Sequence, residues 1–583
     1  MAQQPTHPPD TLSDMYVAID GLGRELPTSE ECGPPREGKT VGIFYFTWLG
    51  PHGYDRSEPL LPDQGVQPKE EGKDYRSPYD VTEILATPGE EKPWGPVHAF
   101  HHWGEPAFGY YLSNDEWVIA RHARMLTDVG VDVICCDVTN AVRYTGVYMK
   151  ICEVFQRILD AGGRAPKIAF LLNSGHDQVA QALYDEFYSK GLYEDVWFRW
   201  KGKPLMLASS EGLPEELREF FTLRQSWAWS AGGWFGDGHD KWPWLDHTPQ
   251  AFGWHEDPET PEQIAVAAAQ HPTTNIGRSH HDGAQPPPEE RDPAQGWYFQ
   301  EQWQRALEVD PEFVFVTGWN EWVAMRFLAS EGQGFCGQRL SEGDTFFVDQ
   351  YTQEYSRDIE PMAGGHGDAY YYQMASYLRR YKGVRPLPEA SAPLEHPQGA
   401  FMNWDQVQPV YRDHVADADH RDHPGWGSVE AYVNETGRNN FVECKVDRSE
   451  GSVHFWTRTA EPITDHGQPG WMTLYLRIPG SDAPDWSGFH FAINRTAARR
   501  GVATLERSLG GWEWEKVADV PFTVEGDQIE LTVSRHLLGL EDGEAFELIF
   551  KWSDNSCLEG DPMDWHRFGD TAPDGRMAYR YRG

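Results

Sequence analysis

Short apolar runs alternate with helix-period stretches through the first 385 positions. Val41–Trp48, Val131–Asp137, Ile168–Asn173 and Phe313–Thr317 show no polar face, so they read as strands covered on both sides. Further strand candidates lie at 203–208, 223–229, 250–254 and 312–319. Helical stretches lie near 113–128, 145–161, 178–190, 213–221, 260–269, 297–309 and 368–381. Such alternation requires crossover connections and therefore parallel strands. About eight strands in about 350 residues predict a (β/α)8 TIM barrel with insertions. A doubly wound open sheet is the competing fold. Against it, no GxGxxG follows the first strand. Polar and aromatic clusters also recur after many strands rather than at one switch point.

The texture changes near residue 400. Val453–Thr457, Met472–Ile478, Phe489–Ile493, Ile529–Val533 and Phe546–Trp552 are short runs separated by Gly, Pro, Asp and Asn, the pattern of an antiparallel β-sandwich. The expected domains are a Pro- and Gly-rich flexible or wrapping leader over 1–38, a catalytic barrel over 39–385, a Pro- and Ala-rich linker over 386–400, and an accessory β-sandwich over 401–583. Residues 52–97 read as a long irregular excursion of the kind that forms lids.

The formal net charge of -41 disfavours nucleic acid and anionic membrane, which need basic patches. The acid excess reads as a solubility device. Seven scattered cysteines argue against a disulfide framework, and without a CxxC pair a thiolate zinc site has no support. Residues 1–20 lack a basic n-region and an apolar h-region, so a cytoplasmic location is expected, with a secreted form whose signal has been removed as the alternative. No apolar run is long enough for a membrane span. The sequence carries no sign of oligomeric state.

Two acids close predicted strands, Asp137 and Glu321. Cleavage of a glycosidic bond needs a pair of carboxyl groups, one to donate a proton and one to attack or activate water. One of the pair must keep its proton near neutral pH, which burial beside apolar rings arranges. Glu321, between Trp319 and Trp322, suits the acid or acid/base role. Asp137 is the candidate base or nucleophile, with Glu105, Asp177 and Glu256 as alternatives. A bland reading stands beside each: Glu321 pairing with an arginine in a polar core, and Asp137 capping the next loop. Of the 25 tryptophans, Trp48, Trp103, Trp227, Trp229, Trp254, Trp319 and Trp322 fall near strand ends, and about half are expected to face the cleft. His101, His102, His176 and His255, with Glu105, Asn173, Asp177 and Asn320, are candidates for bonding sugar hydroxyls. Arg278 is a candidate for binding an anionic substituent or pairing with a carboxylate. No HExxH or HxE…PCxxC spacing is present, so neither metal nor cofactor is expected.

Gly318-Trp319-Asn320-Glu321-Trp322 resembles the Trp-Asn-Glu-Trp motif of glycoside hydrolase family 99 and the related family 71-like barrels. Gly42-Ile43-Phe44-Tyr45-Phe46 resembles their opening strand. The resemblance covers roughly residues 40–382. It implies a (β/α)8 barrel acting on glycans, with Glu321 matching a functional glutamate. Those endo-mannosidases carry a second glutamate three residues later as acid/base. Here that position is Ala324, so the partner carboxylate must come from elsewhere, and Asp137 is the candidate.

The expected protein is thus a glycoside hydrolase acting on O-glycosyl bonds of an oligosaccharide or polysaccharide, in carbohydrate metabolism or polysaccharide degradation. Its C-terminal domain is expected to be carbohydrate-binding-like. The rival readings are a non-catalytic glycan-binding protein and a metal-dependent carbohydrate deacetylase.

Overall fold

The computed structural model describes residues 10–50, 80–270, 276–394, 401–414, 417, 419–426, 431–498 and 501–583. Its first part contains β1 (Thr40–Tyr45), β2 (Phe100–His102), β3 (Val133–Asp137), β4 (Lys167–Leu171), β5 (Arg199–Trp200), β6 (Lys203–Leu207), β7 (Thr222–Arg224), β8 (Gln263–Ala267), β9 (Phe313–Thr317) and β10 (Val323–Leu328). The helices are α1 (Ser29–Cys32), α2 (Val81–Ala86), α3 (Glu116–Asp128), α4 (Thr145–Asp160), α5 (His176–Glu186), α6 (Glu215–Phe220), α7 (Trp297–Val309) and α8 (Ala369–Lys382).

The main sheet runs β7-β6-β4-β3-β1-β9-β8 with every neighbour parallel, and β5 adds an antiparallel edge on β6. Its central strands are buried throughout, as their two-sided apolar sequences require. The expected eight-stranded closure is met only in part. Between β7 and β8 the chain touches its neighbours through single bridges, Gln225–Lys241, Ala228–Leu245 and Gly253–Gln263. The result is a curled parallel sheet whose remaining sector is irregular. The 250–254 strand is therefore absent as a regular element. The 260–269 stretch, expected as a helix, holds the strand β8. Its Ile264-Ala265-Val266-Ala267 is shielded on all sides, and sheet burial overrides the helix preference of alanine.

The C-terminal part is one antiparallel sheet of eleven strands that curls into a nearly closed barrel or sandwich. Its long strand Glu513–Glu525 pairs first with Val502–Gly510 and then with Gln528–Ser534. One end of the strand order is Tyr411–Arg412 and the other is Asp570–Ala572.

This domain covers the outer face of α3. Asp115 caps that helix through the backbone N–H groups of Trp117 and Val118, at 3.1 and 3.4 Å. Trp117 Nε1 then donates to the Asp419 carbonyl at 3.1 Å, and Arg121 to the Asp417 carbonyl at 3.1 Å. That contact explains why the helix buries Arg121 and Arg124, while His122 on its inner side is held by Glu360 at 2.9 Å and Tyr45 at 2.8 Å. The leader, expected to be flexible or wrapping, wraps over its described part. Val17 bridges to Ala578, and Arg379 donates to the carbonyls of Ser13 and Tyr16 at 2.6 and 2.8 Å. Of the excursion expected over 52–97, residues 52–79 lie outside the described residues and the remainder begins with the helix α2; of the linker expected over 386–400, residues 395–400 lie outside them.

Asp368, at the start of α8, is a buried tie between the two parts. Its Oδ2 accepts from Arg576 Nε at 2.6 Å and faces His566 Nε2 at 3.3 Å. Burial alone would raise this carboxyl, but Arg576 and His566 outweigh it and hold the group at about 2. A carboxyl held below its unfolded value stabilises the fold above about pH 4, and that contribution is lost as pH falls toward 2. Asp368→Asn is expected to cost about 2 kcal/mol at pH 7 and much less at pH 3, measured by urea denaturation at both values.

Candidate active site

Glu321 lies four residues beyond the carboxyl end of β9, and Asp137 is the last residue of β3. These strands flank β1. Their backbones are therefore on the order of 10 Å apart, two strand spacings. The extension of β1 ties both acids. The Phe46 N–H donates to Asn320 Oδ1 at 2.8 Å, and Asn320 Nδ2 donates back to the Phe46 carbonyl at 3.2 Å. Two residues on, Trp48 Nε1 donates to Asp137 Oδ2 at 3.0 Å. Asp137 Oδ1 accepts from the Thr139 N–H at 3.0 Å.

Glu321 is buried. Its Oε2 accepts from Gln350 Nε2 at 3.0 Å and from Arg357 at 3.1 Å. Its backbone N–H donates to Asp358 Oδ1 at 2.8 Å, and Asp358 Oδ2 accepts from Gln350 at 2.6 Å. The chain reaches this corner through a cis Thr317–Gly318 peptide. Gly318 is required there by close approach, because a Cβ would stand 2.7 Å from Asp358 Oδ1 and 3.1 Å from the Phe44 ring. Arg357 lies over the Trp244 ring at 5.1 Å and also pairs with Asp349 at 3.4 Å. Asp349 holds a left-handed backbone, φ 71°, and its side chain is half-exposed.

Burial pushes the Glu321 carboxyl well above its ordinary value. Arg357 opposes this, while Asp349, Asp358 and Asp137 reinforce it. The one guanidinium of Arg357 does not offset the desolvation of both buried acids beside it, Glu321 and Asp358. Asp358 is likewise raised to about 6 by burial, against Arg357. Asp137 is raised by burial, against its bonds from Thr139 and Trp48. Asp349 is a charge that both acids feel, raising Glu321 and Asp137 alike.

The aromatic expectations divide. Trp48 is half-buried beside Asp137, stacked on Phe46 at 4.2 Å and parallel to Tyr144 at 6.1 Å. Trp227 is partly exposed and meets Trp244 edge-on at 6.3 Å. Trp229 is half-buried, bonded to Gln270 at 3.1 Å. Trp319 and Trp322 have no exposed surface and are floor, not platform. Trp322 stacks on buried Trp103 at 4.4 Å and donates to Glu360 at 2.5 Å. Trp103 Nε1 bonds the Glu321 carbonyl at 2.8 Å, so this pair sets the Glu321 backbone from below. Asn320 is likewise a buried clamp rather than a sugar contact.

Other candidates are displaced. Trp254 and His255 follow Gly253, which pairs with the first residue of β8, at the sheet end opposite Glu321. His255 binds Asp240 there at 2.7 Å, and Glu256 is exposed beside it. His101 and His102 lie in β2, paired with β10 rather than with the parallel sheet. His101 sets its ring nitrogens 3.1 and 2.9 Å from the Ala99 and Trp94 carbonyls, and the neutral ring donates to one of them. Burial lowers His102 to about 3. Both are core residues. Ala324 pairs with His101 and packs with Val81, Phe335 and Phe347, so the position of the family's second glutamate is apolar core here. Arg278 is fully buried. It donates to the Gln353 carbonyl at 2.7 Å and to the Asp358 carbonyl, and lies over Tyr370 at 4.5 Å. It braces the Asp358 loop. Asn173 is exposed beyond β4, with Asp177 and His176 in the first turn of α5. His176 is bonded to the Glu211 carbonyl at 2.8 Å. Half-buried Glu105 accepts the Ala363 N–H on its carbonyl at 2.9 Å.

Asp349, Gln350, Arg357 and Asp358 complete the site from a loop some thirty residues past Glu321, with no spacing signal to announce them. A separate cavity of about 310 Å³ opens at the leader, lined by Tyr16, Leu26, Arg379 and Arg385, and neither acid reaches it.

The fold and site together define a curled parallel α/β sheet bearing a cluster of buried carboxyl groups at its carboxyl end. No protein-family model matches the sequence, and no curated protein does. Among solved structures, similarity is found to a GH99 endo-alpha-mannosidase from Bacteroides thetaiotaomicron in complex with bis-tris-propane. It has 14% identity and TM-score 0.33, covering 59% of this chain and 97% of that one. A second structure of the GH99 endo-alpha-mannosidase gives 14% identity and TM-score 0.31, covering 59% and 98%. At these scores no residue role is carried across. Among the described residues, no helix is long and apolar enough to cross a membrane.

Proposed function

We propose that the protein is a glycoside hydrolase in which Glu321 is the general acid or acid/base and Asp137 the base or nucleophile. The observation that carries this is two buried acids beyond the carboxyl ends of adjacent-but-one strands, with Phe46 bonded to Asn320, the neighbour of Glu321, and Trp48 bonded to Asp137. A strand separation on the order of 10 Å, with both side chains reaching inward, suits the roughly 5–10 Å between carboxyl groups that glycosidases use. Trp48, Trp227 and Trp229 supply the partly exposed aromatic surface that a sugar ring stacks on. The substrate class is an oligosaccharide or polysaccharide.

The test is a panel of defined oligosaccharides, with products read by chromatography and the first-formed anomer by NMR. Asp137→Asn is expected to lower kcat by about 10²-fold or more on whichever glycan is cleaved. An unchanged kcat removes Asp137 from the mechanism.

The pH profile is a second test. Both carboxyls are raised by burial. The rate should therefore rise with pH as Asp137 ionises, above the ordinary carboxylate range near 4. It should fall at higher pH as Glu321 loses its proton. A profile whose acid limb sits below pH 4 contradicts the assignment.

The Arg357–Glu321 ion pair favours a second reading, in which Glu321 anchors a polar core in a glycan-binding protein without turnover. Substitution of Glu321, argued below, separates the two.

A further inference from the structure

The two ends of the C-terminal sheet meet at three buried aspartates. Asp413 follows the edge strand Tyr411–Arg412, Asp570 opens the opposite edge strand Asp570–Ala572, and Asp417 lies four residues beyond Asp413. Their exposures are 2%, 2% and 0%. Two of them spend one carboxylate oxygen on a protein donor: Asp570 Oδ2 accepts the Phe441 N–H at 2.6 Å, and Asp417 Oδ1 accepts Asn440 Nδ2 at 2.7 Å. Asp413 Oδ2, Asp417 Oδ2 and Asp570 Oδ1 are buried with no hydrogen-bond partner among the described residues. One oxygen from each of the three lies within 4.8 Å of the others. Asn440 Oδ1, next to Asp417, is buried and unpartnered as well.

Nearby cations do not fill this centre. Arg121 and Arg124 give donors to the Asp417 carbonyl, and Arg121 also reaches Asp574 at 3.6 Å. Lys551 gives its ammonium to the carbonyls of Pro573 and Met577. His414 is held by Asp128 at 2.8 Å. Three buried carboxylates thus converge on one point.

We propose that Asp413, Asp417 and Asp570 form a structural calcium site, with Asn440 Oδ1 as a further ligand. Oxygens bound to one Ca²⁺ at about 2.4 Å stand no more than about 4.8 Å apart, which matches the cluster. The donor set is all oxygen, which suits a hard cation and not zinc or copper. The ion would close the sheet where its main-chain ladder ends, and would fix the Asp417 loop that receives Arg121 and Arg124 of α3.

The experiment uses the full chain, stripped with EGTA and titrated with CaCl₂ by calorimetry and thermal unfolding. One Ca²⁺ per chain is expected, with Tm raised by about 5 °C or more at saturating calcium. Asp570→Asn and Asp417→Asn should each weaken binding by at least about tenfold and remove the Tm response. Without calcium, each variant should be at least as stable as the wild-type protein, because repulsion is relieved. That comparison separates a lost site from a lost fold. No calcium bound at 5 mM would overturn the proposal, as would undiminished binding in both variants. An equal Tm rise with Mg²⁺ would overturn the assignment to calcium.

Discussion

Glu321→Gln lowers kcat by about 10³-fold while leaving glycan affinity within a few-fold of the wild-type value, if the acid role is right. Gln keeps the volume of the side chain, and its carbonyl oxygen still accepts from Arg357 and Gln350, which bond Glu321 Oε2 at 3.1 and 3.0 Å. The fold should therefore survive, as circular dichroism and Tm can verify. What is lost is the ability to hand a proton to a leaving oxygen and take one back. Kinetics and calorimetry on the glycan found by the oligosaccharide panel read the two effects separately. A variant retaining turnover within tenfold of wild type would leave Glu321 as the core anchor of the second reading.

Arg357→Met is expected to destabilise the protein by about 3–5 kcal/mol at pH 8, because it leaves buried carboxyl groups without their cation. Arg357 serves Glu321 at 3.1 Å and Asp349 at 3.4 Å, and it opposes the burial that raises Asp358 to about 6. Removing it raises Glu321 and Asp358 further, so the folded state of the variant binds more protons than the unfolded chain. Stability then falls as pH rises through the carboxyl range. The deficit should be smaller at pH 5 than at pH 8, read by urea denaturation at both. A pH-independent deficit would trace the loss to packing on Trp244, which Arg357 covers at 5.1 Å, rather than to charge.

Much of the parallel sheet was legible because two-sided burial leaves an unambiguous mark. Val133–Asp137, Lys167–Leu171 and Phe313–Thr317 all lie within or beside apolar runs, and the cap of α3 lies at Asp115 in Ser113-Asn114-Asp115-Glu116. Gln263–Ala267 was not legible, since an Ala-rich segment is buried equally well as helix or strand. The tryptophans of the motif misled for a related reason. An indole with a partner for its N–H is as content in a core as in a cleft, and Trp322 finds that partner in Glu360, whereas Trp319 is buried with no partner for its N–H among the described residues. Ala324 was visible as a departure from the family pattern, but its place in an apolar layer follows only from the pairing of β2 with β10.

By itself the sequence determined the central parallel strands, the change of texture near residue 400 and the two acids near strand ends, because each is written in local hydrophobic period. Only the tertiary structure decided that β8 is a strand and that single bridges, not a ladder, occupy the sector between β7 and β8. It alone brought Arg357, Gln350 and Asp358 around Glu321, and Asp413, Asp417 and Asp570 to one point. These groups meet through long-range folding, and charges that meet in a dry interior leave no periodic trace along the chain.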